Sequence, residues 1–231
     1  MDTQFLDFYQ SFFTVDWFPV RLSIFVATLA TLLSIFLSLS ISYLLARKNF
    51  FGKELLDAFI SLPLVLPPTV LGYYLLVTLG PKSIIGRCWE AVFTSPLTFT
   101  WQAAVIAATI HALPLMIKSL RVAIENVPSN VENAARLLGA SETKVFFTIT
   151  LPLIWQDLLA ATALAFARAM GDFGVTIMIA GNLPGRTQTA AIAIYDAVEA
   201  GRDNQALALV VVVSLLSVAM LYFINYISRK R

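Results

Sequence analysis

Pro128-Ser129-Asn130-Val131-Glu132-Asn133-Ala134-Ala135-Arg136-Leu137-Leu138-Gly139 is the stretch on which the reading of this chain turns. Ser129 precedes Glu132 at capping-box spacing, in which each side chain satisfies the other residue's free backbone N–H. Gly139 stands where a left-handed residue ends a helix. The spacing predicts a helix of about ten residues, too short to be stable alone in water. Val131, Ala134, Ala135 and Leu138 fall along one side of it. That side needs cover, from a groove on another protein or from the rest of the same chain.

Outward from this stretch the sequence becomes strongly apolar. The chain has 231 residues, 58% of them hydrophobic and 13% charged. A soluble domain carries about 25% charged residues, so this apolar excess calls for lipid as solvent. Five segments approach the ~20 apolar residues that a spanning helix needs. They run over 22–46, 58–79, 100–117, 157–180 and 206–227. The first contains no charge, and Ser23, Thr28, Thr31, Ser34, Ser38 and Ser42 give it small polar positions that allow close helix packing. The expected fold class is an all-α, polytopic membrane bundle of about five spans, with a sixth possible.

Basic residues orient these spans. Arg47, Lys48 and Lys53 follow the first; Lys118, Arg121, Arg136 and Lys144 follow the third; Arg229, Lys230 and Arg231 follow the fifth. The opposite flanks hold Arg21, Lys82, Arg87, Arg186 and Arg202. The positive-inside rule then predicts an outside N-terminus, a cytoplasmic C-terminus and a cytoplasmic loop over 118–152. Residues 1–19 include Phe5, Phe8, Tyr9, Phe12, Phe13, Trp17 and Phe18 among Asp2, Asp7 and Asp16. They read as an interfacial aromatic segment ahead of a membrane domain over 20–228. No basic region precedes an apolar run at the start, so no cleavable signal peptide is expected. The net charge of +2 does not point to nucleic acid. Cys88, the single cysteine, excludes an internal disulfide and a cysteine metal cluster.

The stretch also carries a family pattern. Glu132, Ala135 and Gly139, then Ile149 and Leu151-Pro152, resemble the EAA loop of permease subunits of ATP-binding-cassette importers. The resemblance extends over about 22–227 and implies a type I importer permease fold. It also implies that Glu132, Ala135, Arg136, Leu138 and Gly139 belong to a helix that docks on an ATPase subunit. Leu62-Pro63-Leu64-Val65-Leu66-Pro67-Pro68 with Gly72-Tyr73, and Phe166-Ala167-Arg168-Ala169-Met170-Gly171-Asp172-Phe173-Gly174, are similar to motifs of molybdate importer permeases. Asp172 stands where that motif usually has glutamate. Tungstate and sulfate permeases are close relatives. The implied partners are an ATPase dimer, a periplasmic or extracellular molybdate-binding protein, a second copy of the chain, and membrane lipid. The implied location is a bacterial cytoplasmic (inner) membrane.

Several residues within the spans invite a role. Pro63, Pro67 and Pro68 should kink the second helix, either as part of a path or as a static bend. Arg168 and Asp172, four apart, can face the same way and pair, as an anion-handling or gating pair or as a structural tie. Gly171 and Gly174 would allow close helix contact. His111, the only histidine, reads as a packed, hydrogen-bonded residue. On the outer side, Pro184-Gly185 should turn. Ile192, Tyr195 and Val198 should line a short amphipathic helix that, with 80–99, either receives a binding protein or simply connects spans.

No G-x-x-x-x-G-K-[ST] loop occurs, and no nucleophile constellation or metal set is apparent. The chain is therefore not expected to be an enzyme or to bind a cofactor; ATP and Mg belong to the partner ATPase. The competing class is an ion-coupled secondary transporter, which would need ionisable relays in its spans.

Overall fold

The computed structural model describes residues 15–229, and every regular element among them is helical. The interfacial reading of 1–19 therefore lies outside the described residues as far as residue 14, and Lys230 and Arg231 lie outside them too. The elements are α1 (Phe18–Arg47), α2 (Lys53–Val65), α3 (Pro68–Leu79), α4 (Ile84–Phe93), α5 (Trp101–Glu125) and α6 (Ser129–Leu137). They continue with α7 (Glu142–Leu153), α8 (Trp155–Met170), α9 (Gly174–Ala180), α10 (Ala190–Glu199) and α11 (Asp203–Arg229). α7 includes a π-helical turn at Phe146–Thr150.

α1, α5 and the Asp203–Phe223 part of α11 are each long and apolar enough to cross a membrane. Two bent pairs, α2 with α3 and α7 with α8, bring the total to as many as five spans. The expected second kink is a sharper break: α2 and α3 meet at 114°. Leu66 is extended, the conformation that a following proline favours. Pro67 caps α3 and Pro68 opens it, positions where a missing N–H costs nothing. Pro63 sits inside α2 without ending it.

The fourth expected span is also revised. α8 ends at Met170, and α9 begins only at Gly174, so 157–180 is not one helix. The continuous apolar path runs instead from α7 into α8 through a 75° bend. The loop expected over 118–152 is mostly helix, because α5 continues to Glu125 and α7 starts at Glu142.

Small residues set the main seam. Ala27 and Ala30 of α1 and Ala104 and Ala108 of α5 are fully buried. Ser34, Ser38 and Ser42 are buried beside them, and the Ser42 hydroxyl donates to the Ile117 carbonyl at 2.9 Å. Hydrogen bonds of this kind average about 0.6 kcal/mol in membranes, so the close approach of the backbones matters more than any one of them. Thr28 faces outward and returns its hydroxyl to the Ile24 carbonyl. α3 packs on α5 and α9 through Leu71, Leu75, Ala103, Ala107, Val175 and Ile179.

Candidate functional site

The stretch that opened the sequence reading forms α6, but not through a capping box. Pro128 is the N-cap, Ser129 is already helical, and no side chain caps the start. Glu132 is drawn inward instead and is 1% exposed. Arg47, at the end of α1, donates to its Oε1 at 3.0 Å and to the Val127 carbonyl at 3.1 Å. The Thr150 hydroxyl donates to the same oxygen at 2.7 Å, and Arg136 lies 3.5 Å from Oε2. Arg136 then grips Glu142 with two bonds, 2.8 and 3.1 Å, and Tyr43 donates to Glu142 at 2.9 Å. The hydrogen bond that Arg136 donates to Glu142 raises the pKa of its guanidinium above its ordinary value. This network ties α6 to α1 and α7.

The C-terminal end follows expectation. Gly139 has φ +84°, its N–H bonds to the Arg136 carbonyl, and the Ala140 N–H reaches the Ala135 carbonyl. These two bonds make a Schellman ending. Just ahead of it the helix presents Leu137 and Leu138, 89% and 90% exposed. Ala134 and Gly139 are exposed beside them, and Ala135 and Arg136 are half-buried. Of the five residues expected in this helix, Leu138 and Gly139 face out, while Glu132 and Arg136 bind it to its own chain.

The second cluster lies within the bundle. Arg168 and Asp172 do not pair directly, because the helix ends at Gly171 and carries Asp172 off its face. His111, 4% exposed on α5, stands between them. Its Nδ1 is 2.8 Å from Asp172 Oδ1, and its Nε2 is 2.6 Å from an Arg168 Nη2. The second Asp172 oxygen accepts from the Thr176 N–H at 3.1 Å and from the Thr176 hydroxyl. Gly174 behaves as expected: an added Cβ would lie 2.6 Å from Pro68 Cβ. Gly171 does not, since only its own helix's Ala167 carbonyl is near. Pro63 is half-buried, and Pro67 and Pro68 are exposed.

Thr150, Asp57, the bridging role of His111 and the hold of Arg47 on Glu132 are not evident from the sequence. Asp57 ties α2 to α5 through Lys118 at 2.6 Å and Arg121 at 3.2 Å. The one available signal was charge at the end of an apolar run, which marks Arg47, Asp57 and Lys118. On the far side, α10 forms, and Gly185 turns with φ +71°. Its buried face is Ala190, Ile192, Ala193 and Ala197, while Tyr195 and Val198 are exposed, contrary to the expected stripe. The neighbouring α1 and α11 accept small side chains there. The stretch 80–99 is also more ordered than a loop, since α4 starts on a Ser83 cap.

Comparison with known proteins places this geometry. The family model described as "Binding-protein-dependent transport system inner membrane component" matches residues 30–231. The YvgM protein of Bacillus subtilis (strain 168) is 44% identical over 207 residues, covering 90% of this chain and 91% of that one. The molybdenum transport system permease protein ModB of Escherichia coli (strain K12) is 41% identical over 220 residues, covering 94% and 96%. A sulfate transport system permease protein, cysT of Chlorokybus atmophyticus, is 31% identical and covers 98% and 79%. Among solved structures, a bacterial ABC transporter involved in import of the acidic polysaccharide alginate superposes with a TM-score of 0.77 at 12% identity. That match covers 97% of this chain and 83% of the other, and shows the shared fold.

Proposed function

The chain belongs to the binding-protein-dependent transport system inner membrane components, and we propose that it is the permease subunit of an ATP-driven molybdate importer. It is a transmembrane subunit and not itself an enzyme; hydrolysis falls to a separate ATPase, which would hold ATP and Mg. The observation that carries the docking part is the construction of α6. Glu132 locks the helix to α1 and α7, and this leaves Leu137 and Leu138 outward with little cover among the described residues. A pair of large, almost fully exposed leucines on a polar loop suits a groove on a partner. A push on α6 would be delivered to α1 through Arg47 and to α8 through α7.

A second copy of the chain would complete the path, because five spans from one chain enclose little. A substrate-binding protein would deliver the anion to the side of α4 and α10. The N-terminus would lie outside and the C-terminus in the cytoplasm. Molybdate is favoured over sulfate by the closer identity to ModB and by the matched chain lengths. Sulfate remains the second reading because its permeases are relatives across the whole chain; tungstate shares molybdate's shape and charge.

The test is reconstitution in liposomes with the ATPase and the binding protein, following radiolabelled molybdate. ATP-dependent uptake that excess tungstate suppresses, and equal sulfate does not, is the expected result. Equal suppression by sulfate would remove the molybdate assignment. Uptake driven by an ion gradient without ATP would replace the mechanism with a secondary transporter.

A further inference from the structure

We propose that the Arg168 guanidinium is an oxyanion contact within the translocation path, and that His111, held by Asp172 and Thr176, is the residue that positions it. The inference rests on the transporter reading above.

Arg168 is exposed near the end of α8, which with α7 forms a bent pair long and apolar enough to enter a membrane. A permanent cation at that depth must face water or protein rather than hydrocarbon. Its one side-chain bond among the described residues is to His111 Nε2, at 2.6 Å. Arginine only donates, so Nε2 must be the bare ring nitrogen. The ring proton is then on Nδ1, where Asp172 Oδ1 accepts it at 2.8 Å. The other Asp172 oxygen is occupied by Thr176. Asp172 therefore orients the imidazole without touching Arg168, and the remaining N–H groups of the guanidinium keep their donor capacity. Donation runs from Arg168 to His111 to Asp172 and from Thr176 to Asp172, so both arms converge on the carboxylate and the outer end of the longer one is an exposed cation.

The surroundings fit a path. The break between α2 and α3 and the break between α8 and α9 meet where Pro68 rests against Gly174. Non-helical backbone at membrane depth is tolerated where protein covers it or where it lines a wet cavity. Arg168 lies three residues before the second break and Asp172 lies within it. The planar fork of an arginine matches paired oxygens of a tetrahedral oxyanion. Two copies of the chain would offer two such forks to a dianion.

The complete complex in liposomes tests this, with radiolabelled molybdate as the probe and ATP hydrolysis recorded in parallel. Arg168→Gln is expected to lower initial uptake roughly ten- to a hundredfold, the worth of charged hydrogen bonds, while stimulated ATP hydrolysis changes less than about twofold. Arg168→Lys keeps the charge but loses the fork, and should fall between Arg168→Gln and wild type. His111→Gln, whose amide can accept from Arg168 and donate to Asp172, should retain most of the uptake. His111→Leu should not, and combining it with Arg168→Gln should add no further loss. Undiminished uptake in Arg168→Gln overturns the proposal. So does parallel loss of assembly, hydrolysis and uptake in both Arg168 variants, which would make the cluster a structural tie. A wild-type complex that imports neither molybdate nor sulfate overturns the transporter reading and this site with it. Import by wild type with an indifferent Arg168→Gln overturns only the site.

Discussion

At Glu132 one carboxylate meets Arg47, Arg136 and Thr150 while almost wholly buried. Such a group is costly to alter, because removing one partner strands the other charge. Glu132→Gln leaves Arg47 facing a neutral amide and should destabilise the folded chain by about 3 kcal/mol, the low end for a broken buried pair. A lowered thermal unfolding midpoint of the detergent-solubilised protein would register this; an unchanged midpoint would mean that the pair is as dispensable as a surface one. Gly174 makes the opposite point, that space can be as specific as charge. A Cβ there would collide with Pro68, and neither the ring nor the α9 backbone can yield cheaply. Gly174→Ala should cost about 1–3 kcal/mol through overpacking and lower the yield of folded protein. Gly171→Ala meets nothing closer than 3.5 Å and should leave the yield unchanged.

Among the elements, α6 separates two properties that its sequence merges. The residues that hold it, Glu132 and Arg136, point one way, while Leu137 and Leu138 point the other. Leu138→Asp should therefore spare the fold of the isolated permease while weakening co-purification of the ATPase at least about tenfold, as loss of an interface anchor does. Retained association at wild-type stoichiometry would place docking elsewhere. Much of this element was legible in local pattern: its position, its length and its left-handed glycine are all short-range features. The capping box was not, because Arg47 and Thr150, distant in sequence, compete for Glu132 more strongly than a backbone N–H does. The same limit hid the bridge through His111, whose partners lie 57 and 61 residues away. Periodicity also misplaced the buried face of α10, where alanines fill the narrow seam that larger side chains would prise open. The break after Met170 is marked locally only by Gly171, Asp172 and Gly174, and the apolar run resumes in α9.

For the molecule as a whole, the ends of the helices that lie together decide which segments share a side of the membrane. Arg47 reaches Glu132 and Val127, so the end of α1 shares a side with α6. At the other end the Ser23 hydroxyl of α1 accepts from the Ala190 N–H of α10, and Phe25 packs edge-on to Trp101 at the start of α5. α10 and the start of α5 therefore share the opposite side with the start of α1. α4 ends just ahead of α5, so its segment belongs to that side as well. The basic flanks predict a cytoplasmic α6, and with α6 there α4 and its exposed Cys88 would lie outside. Cys88 is the chain's single cysteine, so a membrane-impermeant maleimide added to intact spheroplasts should label the wild-type protein. In a Cys88→Ser background expressed without the ATPase, Leu138→Cys should stay unlabelled until the membrane is opened, and then react readily given the exposure of that position on the isolated chain. The reverse pattern would invert the topology. It would also set α6 on the side away from ATP, where an ATPase could not dock, so this one labelling experiment bears on both orientation and coupling.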